Sequence, residues 1–331
     1  MITMKDVAKA AGVSQATVSR VISGNTSVDP EIKAKVMKWI RKLDYQPNII
    51  AQSLVGNKTL LIGVIITDIS NPFFSDIIKS VEREAANYGY SIMLFNTDGD
   101  IEKEKKYINI LKSYKVEGIL IVPSDAKNKY FKTLQKSSIP IVIITQDIKN
   151  FNCVSISHYM GGKKVAKHLV DMGYSKFVFV GYQDDEKELG FKEELENSGF
   201  DLNNKYMFID KGKNNHVAVA LKEFIINNLD DEGIGIFTHN DIEALMVLHL
   251  LKELKIKIPE KAALVGFDNT YITKEVSPSI SSVAQLVEEI GRKAVEILID
   301  KINEREKAEE KHIILEPRLV VRESSVKLVE Y

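Results

Sequence analysis

The chain has 331 residues, 44% hydrophobic and 27% charged, a length and balance that suit two or three compact soluble units with real apolar cores. Its sole cysteine, Cys153, excludes an intrachain disulfide or a thiolate metal cluster and fits a reducing compartment. The net charge of −1 hides an uneven division: residues 1–59 carry nine Lys/Arg against four Asp/Glu, leaving 36 against 42 for the remainder. A basic head on a mildly acidic body directs the head toward a polyanion. The N-terminus carries charge within six residues and lacks a signal peptide's apolar run, and no stretch reaches the ~18–20 consecutive apolar residues of a membrane span. A cytoplasmic protein with no membrane partner is expected.

Thr3-x-x-Asp6 has the form of a capping box, which predicts a helix through Ala11 with Val7, Ala8 and Ala11 on one face. Gly12 ends it, because glycine accepts the left-handed backbone of a helix C-terminus. Ser14 then caps a second helix to about Ser23 with Val18, Val21 and Ile22 inward. Asp29 caps a third, with Pro30 at its first position and Ile32, Val36, Ile40 and Leu43 at helical spacing. Two short helices joined through one glycine, closed by a third, form a helix-turn-helix unit. Its second helix would enter the major groove of double-stranded DNA. There Gln15 can pair with adenine, Ala16 can touch a thymine methyl and Arg20 can fork onto guanine. Thr3, Ser14, Thr17, Ser19 and Asn25 suit phosphate oxygens, which position without specifying.

After Pro47, Asn48 can cap about two helical turns that Gly56 ends, a segment too short to be stable alone in water. From Leu60 the pattern changes. Apolar runs at 60–66, 91–96, 118–123, 140–145, 176–181, 233–238 and 263–268 read as buried strands, interspersed with amphipathic helices such as Phe74–Tyr88. Continuous apolar strands alternating with helices predict α/β architecture: doubly wound parallel sheets, here in two similar lobes with a cleft between them. Ligands in such sheets bind beyond the carboxyl ends of the strands. Those ends carry D-I-S-N-P-F-F (68–74), His239-Asn240-Asp241 and Asp268-Asn269-Thr270. Carboxylates and amides beside aromatic rings suit a hydroxyl-rich solute, and the same residues equally suit plain helix capping.

The string D-V-A-K-A-A-G-V-S-Q-A-T-V-S-R-V-I-S-G (6–24) closely resembles the head of the lactose-repressor/galactose-repressor (LacI/GalR) family. The likeness runs on through G-G-x-x-x-A-x-H-L (161–169), H-N-D-x-x-A-L (239–245), V-G-F-D-N (265–269) and P-R-L-V-x-R (317–322), so it covers essentially the whole chain. It implies a DNA-binding domain at 1–46, a hinge helix at 47–59 and a periplasmic-binding-protein-like sensor at 60–331. Within the sensor, one lobe would hold about 60–158 plus 284–312, and the other about 159–283 plus 313–331. In the family the paired hinge helices enter the minor groove and wedge a leucine between base pairs. The matching residue is Leu54, with Ala51 small enough to let two helices approach. The resemblance places Phe73, Phe74, Asn240 and Asp268 at effector-contacting positions.

The departures from the family fall in the pocket. Lys187 stands where an effector-clamping arginine is common, and a lysine cannot make the same two-pronged contact. Thr145 and Ser157 replace acidic residues, and the segment after Val180 is shorter than usual. The resemblance therefore implies a homodimeric regulator, a repressor in sign, of a pseudo-palindromic operator, tuned by a sugar-like effector. An effector with an anionic group facing Lys187, or a protein co-regulator acting on a degenerate pocket, stays open. A solute-binding transport protein is the remote alternative, and the missing export signal and basic head speak against it. No enzyme is expected. There is no G-x-x-x-x-G-K-[ST], H-E-x-x-H or C-x-x-C pattern, the histidines at 158, 168, 216, 239, 249 and 312 lack ligand spacing, and Asp184-Asp185-Glu186 reads as a solvated acidic loop. No catalytic residue, metal or cofactor follows from the sequence.

Overall fold

A computed structural model describes residues 2–22, 28–45, 58–211, 217–303 and 310–326. The chain separates into two compact units, Met1–Leu60 and Leu61–Tyr331.

In the first unit, α1 (Met4–Ala11), α2 (Gln15–Ile22) and α3 (Pro30–Lys42) enclose a small core of Val7, Ala8, Ala11, Val18, Val21, Val36 and Tyr45. The capping box at Thr3 and Asp6 is present, and Gly12 closes α1 at φ +63°. Asp29 accepts from the amides of Glu31 and Ile32 ahead of the Pro30 helix. Ile32, expected inward, is 37% exposed. Its helix has 13 residues against eight in each partner.

The second unit holds two six-stranded sheets. The first orders β11 (His312–Leu315), β5 (Asn152–Ile156), β4 (Ile141–Ile144), β3 (Gly118–Ile121), β1 (Leu61–Ile66) and β2 (Ser91–Asn96). The second orders β12 (Arg318–Val320), β10 (Ser281–Ala284), β9 (Ala262–Asp268), β8 (Ile234–Thr238), β6 (Lys176–Gly181) and β7 (Tyr206–Asp210). The five strands ahead of each C-terminal strand thus repeat one winding. The order reverses between β1 and β3 in one sheet and between β6 and β8 in the other, and such switch points open crevices at the strands' carboxyl ends.

Both faces of each sheet are covered. In the first, Ile62, Val64 and Ile66 pack with the helices Pro72–Asn87 and Val287–Asn303, while Ile65, Ile119 and Ile143 face Ile108 and Leu111 of the helix Ile101–Ser113. Each such buried side chain contributes ~1.5–3 kcal/mol. Central strands are buried along nearly their whole length, whereas the edge strands β2, β7, β11 and β12 are partly exposed.

The doubly wound α/β reading holds, with one addition at a sheet edge and one boundary to correct. The sheets are not wholly parallel, because β12 runs antiparallel to β10. The last return to the second sheet also lies later than 312/313: His312–Leu315 still pairs with β5 of the first sheet. Short, half-exposed edge strands lack the continuous apolar run that marks a central strand. For that reason the sequence does not mark the edge strands β7, β11 and β12, whereas β5 and β10 are buried between neighbours but short and interrupted by polar residues, as N-C-V-S-I and S-S-V-A.

Candidate functional site

The head presents α2 as a reading surface. Val18 and Val21 anchor its inner side, and Gln15, Ala16 and Arg20 are exposed. Ser14 fixes the start of the helix, with its Oγ accepting from Thr17 N at 3.1 Å and lying 2.9 Å from Thr17 Oγ1. Thr3 is likewise engaged, its Oγ1 donating to Asp6 Oδ2 at 2.6 Å. Thr3, Ser14 and Thr17 therefore spend part of their hydrogen-bonding capacity on caps, although a hydroxyl retains lone pairs for a further partner. Ser19 is half-buried beside them. Asn25, Ala51 and Leu54, and nearly all of the 47–59 hinge, lie outside the described residues.

In the body, the helices His158–Asp171 and Glu186–Asn197 cross in close contact. Glycine makes this crossing possible. A Cβ on Gly162 would collide with the Lys187 carbonyl, and one on Gly190 with the Tyr159 carbonyl. The crossing brings the two helix starts together at the carboxyl ends of the strands. Ser157 caps one, accepting from Met160 N at 3.2 Å, and Asp185 caps the other, accepting from Lys187 N at 3.0 Å. Side chains from both starts then line a cleft of about 860 Å³, whose wall includes Lys127, Thr145, Asp147, Ser157, His158, Asp185, Lys187 and His239.

The charged centre of the cleft is built from three groups. Lys187 is buried, its Nζ donating to His239 O at 2.8 Å and lying 4.2 Å from the centre of the Phe267 ring. Asp185 pairs with His239 Nδ1 at 2.5 Å. Burial would push this carboxyl up, but the Lys187 charge and the His239 bond pull it well below the usual carboxylate range. The expectation of a solvated acidic loop therefore holds for the exposed Asp184 and fails for Asp185, a cap and ion-pair partner only 8% exposed. At the mouth, Lys127 and Asp184 lie 3.5 Å apart, one from each lobe.

Behind this wall runs a polar chain. His158 Nε2 lies 3.4 Å from Gln285 Oε1, and Gln285 Nε2 donates to Asp268 Oδ1. Burial, then the Lys187 charge, lowers His158 to about 3, so its imidazole is neutral. Burial raises Asp268 above the usual carboxylate range, against the pull of Lys187 and with the push of Asp241. Asn71, which caps the helix Pro72–Asn87 of the first lobe, also lies near enough to Asp268 of the second to favour its charged form.

Of the six expected effector residues, Thr145 and Lys187 line the cleft. Asp268 stands two hydrogen bonds behind His158 on the wall. Asn240 caps the helix Asp241–Glu253, accepting from Glu243 N at 2.9 Å. Phe73 is buried in the core with Phe74 edge-on at 5.1 Å. The capping alternative thus describes Asn71 and Asn240. Thr145 and Asp268 both hold left-handed backbones, at φ 71° and 110°, strain of ~1–3 kcal/mol that collects at functional sites. His158, Asp185 and Gln285 are not among the residues the sequence points to, and His239 appears there only within a strand-end string, although Asp185 directly ahead of a helical run carries an N-cap signal.

An exposed, capped second helix in a three-helix head, with a two-sheet body open at its strand ends, defines the class of ligand-responsive DNA-binding regulators. Residues 3–48 match the description "Bacterial regulatory proteins, lacI family", and residues 166–325 match "Periplasmic binding protein-like domain". The chain is 32% identical to the HTH-type transcriptional regulator DegA of Bacillus subtilis (strain 168), over 98% of each chain. It is 33% identical to the HTH-type transcriptional repressor PurR of Vibrio vulnificus (strain CMCP6), over 99% of this chain and 100% of that one. Among solved structures, a LacI-family regulator from Silicibacter pomeroyi superposes with a TM-score of 0.82 at 26% identity, covering 99% and 100% of the two chains. A periplasmic binding protein/LacI transcriptional regulator from Alkaliphilus metalliredigens QYMF, complexed with D-xylulofuranose, gives 0.69 at 30% identity, covering 81% and 99%. The chain belongs to the lacI family of bacterial regulatory proteins, and it is a transcriptional regulator, not an enzyme. No helix among the described residues is long and apolar enough to cross a membrane.

Proposed function

We propose that two copies of this chain, pairing through their bodies in the cytoplasm, repress transcription at a pseudo-palindromic operator and respond to a polyhydroxylated small molecule in the cleft. The observation that carries the effector class is the state of Lys187. One of its three N–H donors is given to the His239 carbonyl, its ammonium lies over the Phe267 face, and the ionised Asp185 offsets its charge, so it can give a ligand a hydrogen bond but is not a bare cation for a phosphate. Around it Thr145, Ser157 and His158 offer neutral donors and acceptors. A neutral, hydroxyl-rich ligand matches such a wall, and a relative of the same architecture is complexed with D-xylulofuranose. Lys187, Thr145 and His158 would meet the ligand, with Asp268 and Gln285 orienting His158 from behind.

On DNA, Gln15, Ala16 and Arg20 would read base edges while Ser14, Thr17 and Ser19 meet phosphates. The ligand would act by its differential affinity for two arrangements of the lobes, since equal affinity shifts nothing. Genome-wide mapping of bound DNA tests the first half and should return one shared, two-fold symmetric site. A thermal-shift screen of neutral sugars against their phosphates tests the second. Stabilisation by phosphates alone would overturn the neutral-ligand reading, and equal retention of random duplex would overturn the regulator reading.

A further inference from the structure

Six histidines and one cysteine are scattered along the sequence, yet the fold brings one of each together. In the parallel pairing of β5 and β11, His312 stands opposite Cys153. Register partners on adjacent strands project from the same face of the sheet. The segment after β4 carries Asp147 to the same point, where its Oδ1 lies 2.6 Å from His312 Nδ1. Cys153 Sγ fastens that segment, accepting from Ile148 N and donating to Ile148 O, both at 3.3 Å. One thiol sulfur, one imidazole nitrogen and one carboxylate oxygen thus lie within 4.8 Å of one another.

Zinc takes these three donors at ~2.0–2.3 Å each, in a four-coordinate shell. Ligand atoms around one ion then sit roughly 3–4 Å apart, so the observed cluster is a short closure from sharing an ion. The mixture of soft sulfur, borderline nitrogen and hard oxygen suits a borderline divalent cation over magnesium or calcium, which favour all-oxygen shells. A nucleophilic role does not fit, because burial, with Asp147 adding to it, raises the Cys153 thiol to about 12. A bound cation deprotonates a coordinating thiol outright.

We propose that Asp147, Cys153 and His312 form a three-ligand site for a zinc-class divalent cation, with a fourth position open to water. Asp147 and Ile148 also line the cleft, so an ion there ties the edge strand β11 to the cleft wall and alters the surface offered to a ligand. This inference is independent of which small molecule the cleft takes.

The test uses the full-length reduced protein titrated with Co²⁺ and then displaced with Zn²⁺. The expected result is the ultraviolet sulfur-to-cobalt charge-transfer band, saturating at one ion per chain. It should be absent in Cys153→Ser and unchanged in His249→Gln. In His312→Gln and Asp147→Asn, both at partly exposed positions, Co²⁺ affinity should fall at least about tenfold. No band in the wild-type protein would overturn the proposal. So would a band that His312→Gln and Asp147→Asn leave at full affinity, since the cysteine would then be catching the ion alone. Those two variants decide the matter even if Cys153→Ser fails to fold.

Discussion

Gly162 and Gly190 meet across two helices of the second lobe, each occupying a spot where a methyl group would overlap a backbone carbonyl of the opposite helix. The contact sets where Asp185 and Lys187 begin one helix and where His158 begins the other. The cleft's charged centre therefore depends on two residues that have no side chains.

Gly190→Ala should be costly for this reason. Neither backbone can yield without moving a whole helix, so a loss of at least about 1–3 kcal/mol is expected, the usual cost of overpacking. Urea denaturation measures it, and a parallel ligand titration should show weakened binding as Lys187 shifts. Unchanged stability would mean that the helices separate freely.

Arg20→Ala should relax base preference at one position in each half of the operator, costing about 1–3 kcal/mol on the preferred sequence. Binding to a panel of single-base operator variants checks this. Weakening by the same factor on every variant would instead make Arg20 a phosphate contact.

Lys187→Met keeps much of the side chain's bulk and removes its charge. The part-buried His239 carbonyl loses its donor, at about 1–3 kcal/mol. Asp185 loses the charge that most strongly holds its carboxyl ionised. Stability should therefore fall at pH 7, and carboxylate titration followed by NMR should find Asp185 moved upward. A static Asp185 would show that His239 alone sustains it.

His158 contributes to the response to mild acid, alongside His168, which burial also lowers, and against Asp268 and Asp241, which burial raises. Its imidazole is lowered from 6.5 to about 3 by burial and the nearby Lys187. As pH falls, the unfolded chain takes up this proton first, so the stability that the neutral His158 contributes is full above about 6.5 and drains away between there and about 3. His158→Gln should remove that share of the change in urea midpoint across the window, leaving the share of His168 and the buried carboxyls. The steeper loss below the ordinary carboxylate range, where Asp185 must be protonated, should remain in the variant. Identical profiles for the two proteins would count against a neutral, enclosed His158.

Much of this was legible along the chain because it is local. Thr3 and Asp6, Gly12, and Asp29 with Pro30 mark helix ends through contacts only two or three residues long, and all of them form as read. Central strands announce themselves because burial on both faces demands an unbroken apolar run, as in L-I-G-V-I-I of β1. Ile32 shows the boundary of that logic, since its spacing promises burial while the packed bundle leaves it exposed.

Local propensity, caps and hydrophobic period thus determined the helix-turn-helix head and the alternating α/β body, since each depends on residues within a turn or a strand of one another. Only the tertiary structure decided that Asp185 meets His239, that Asp268 lies behind His158, that β12 runs antiparallel, and that His312 faces Cys153. Those pairings join segments far apart in the chain. They are fixed by how whole sheets and helices stack, where no short stretch of sequence carries the information.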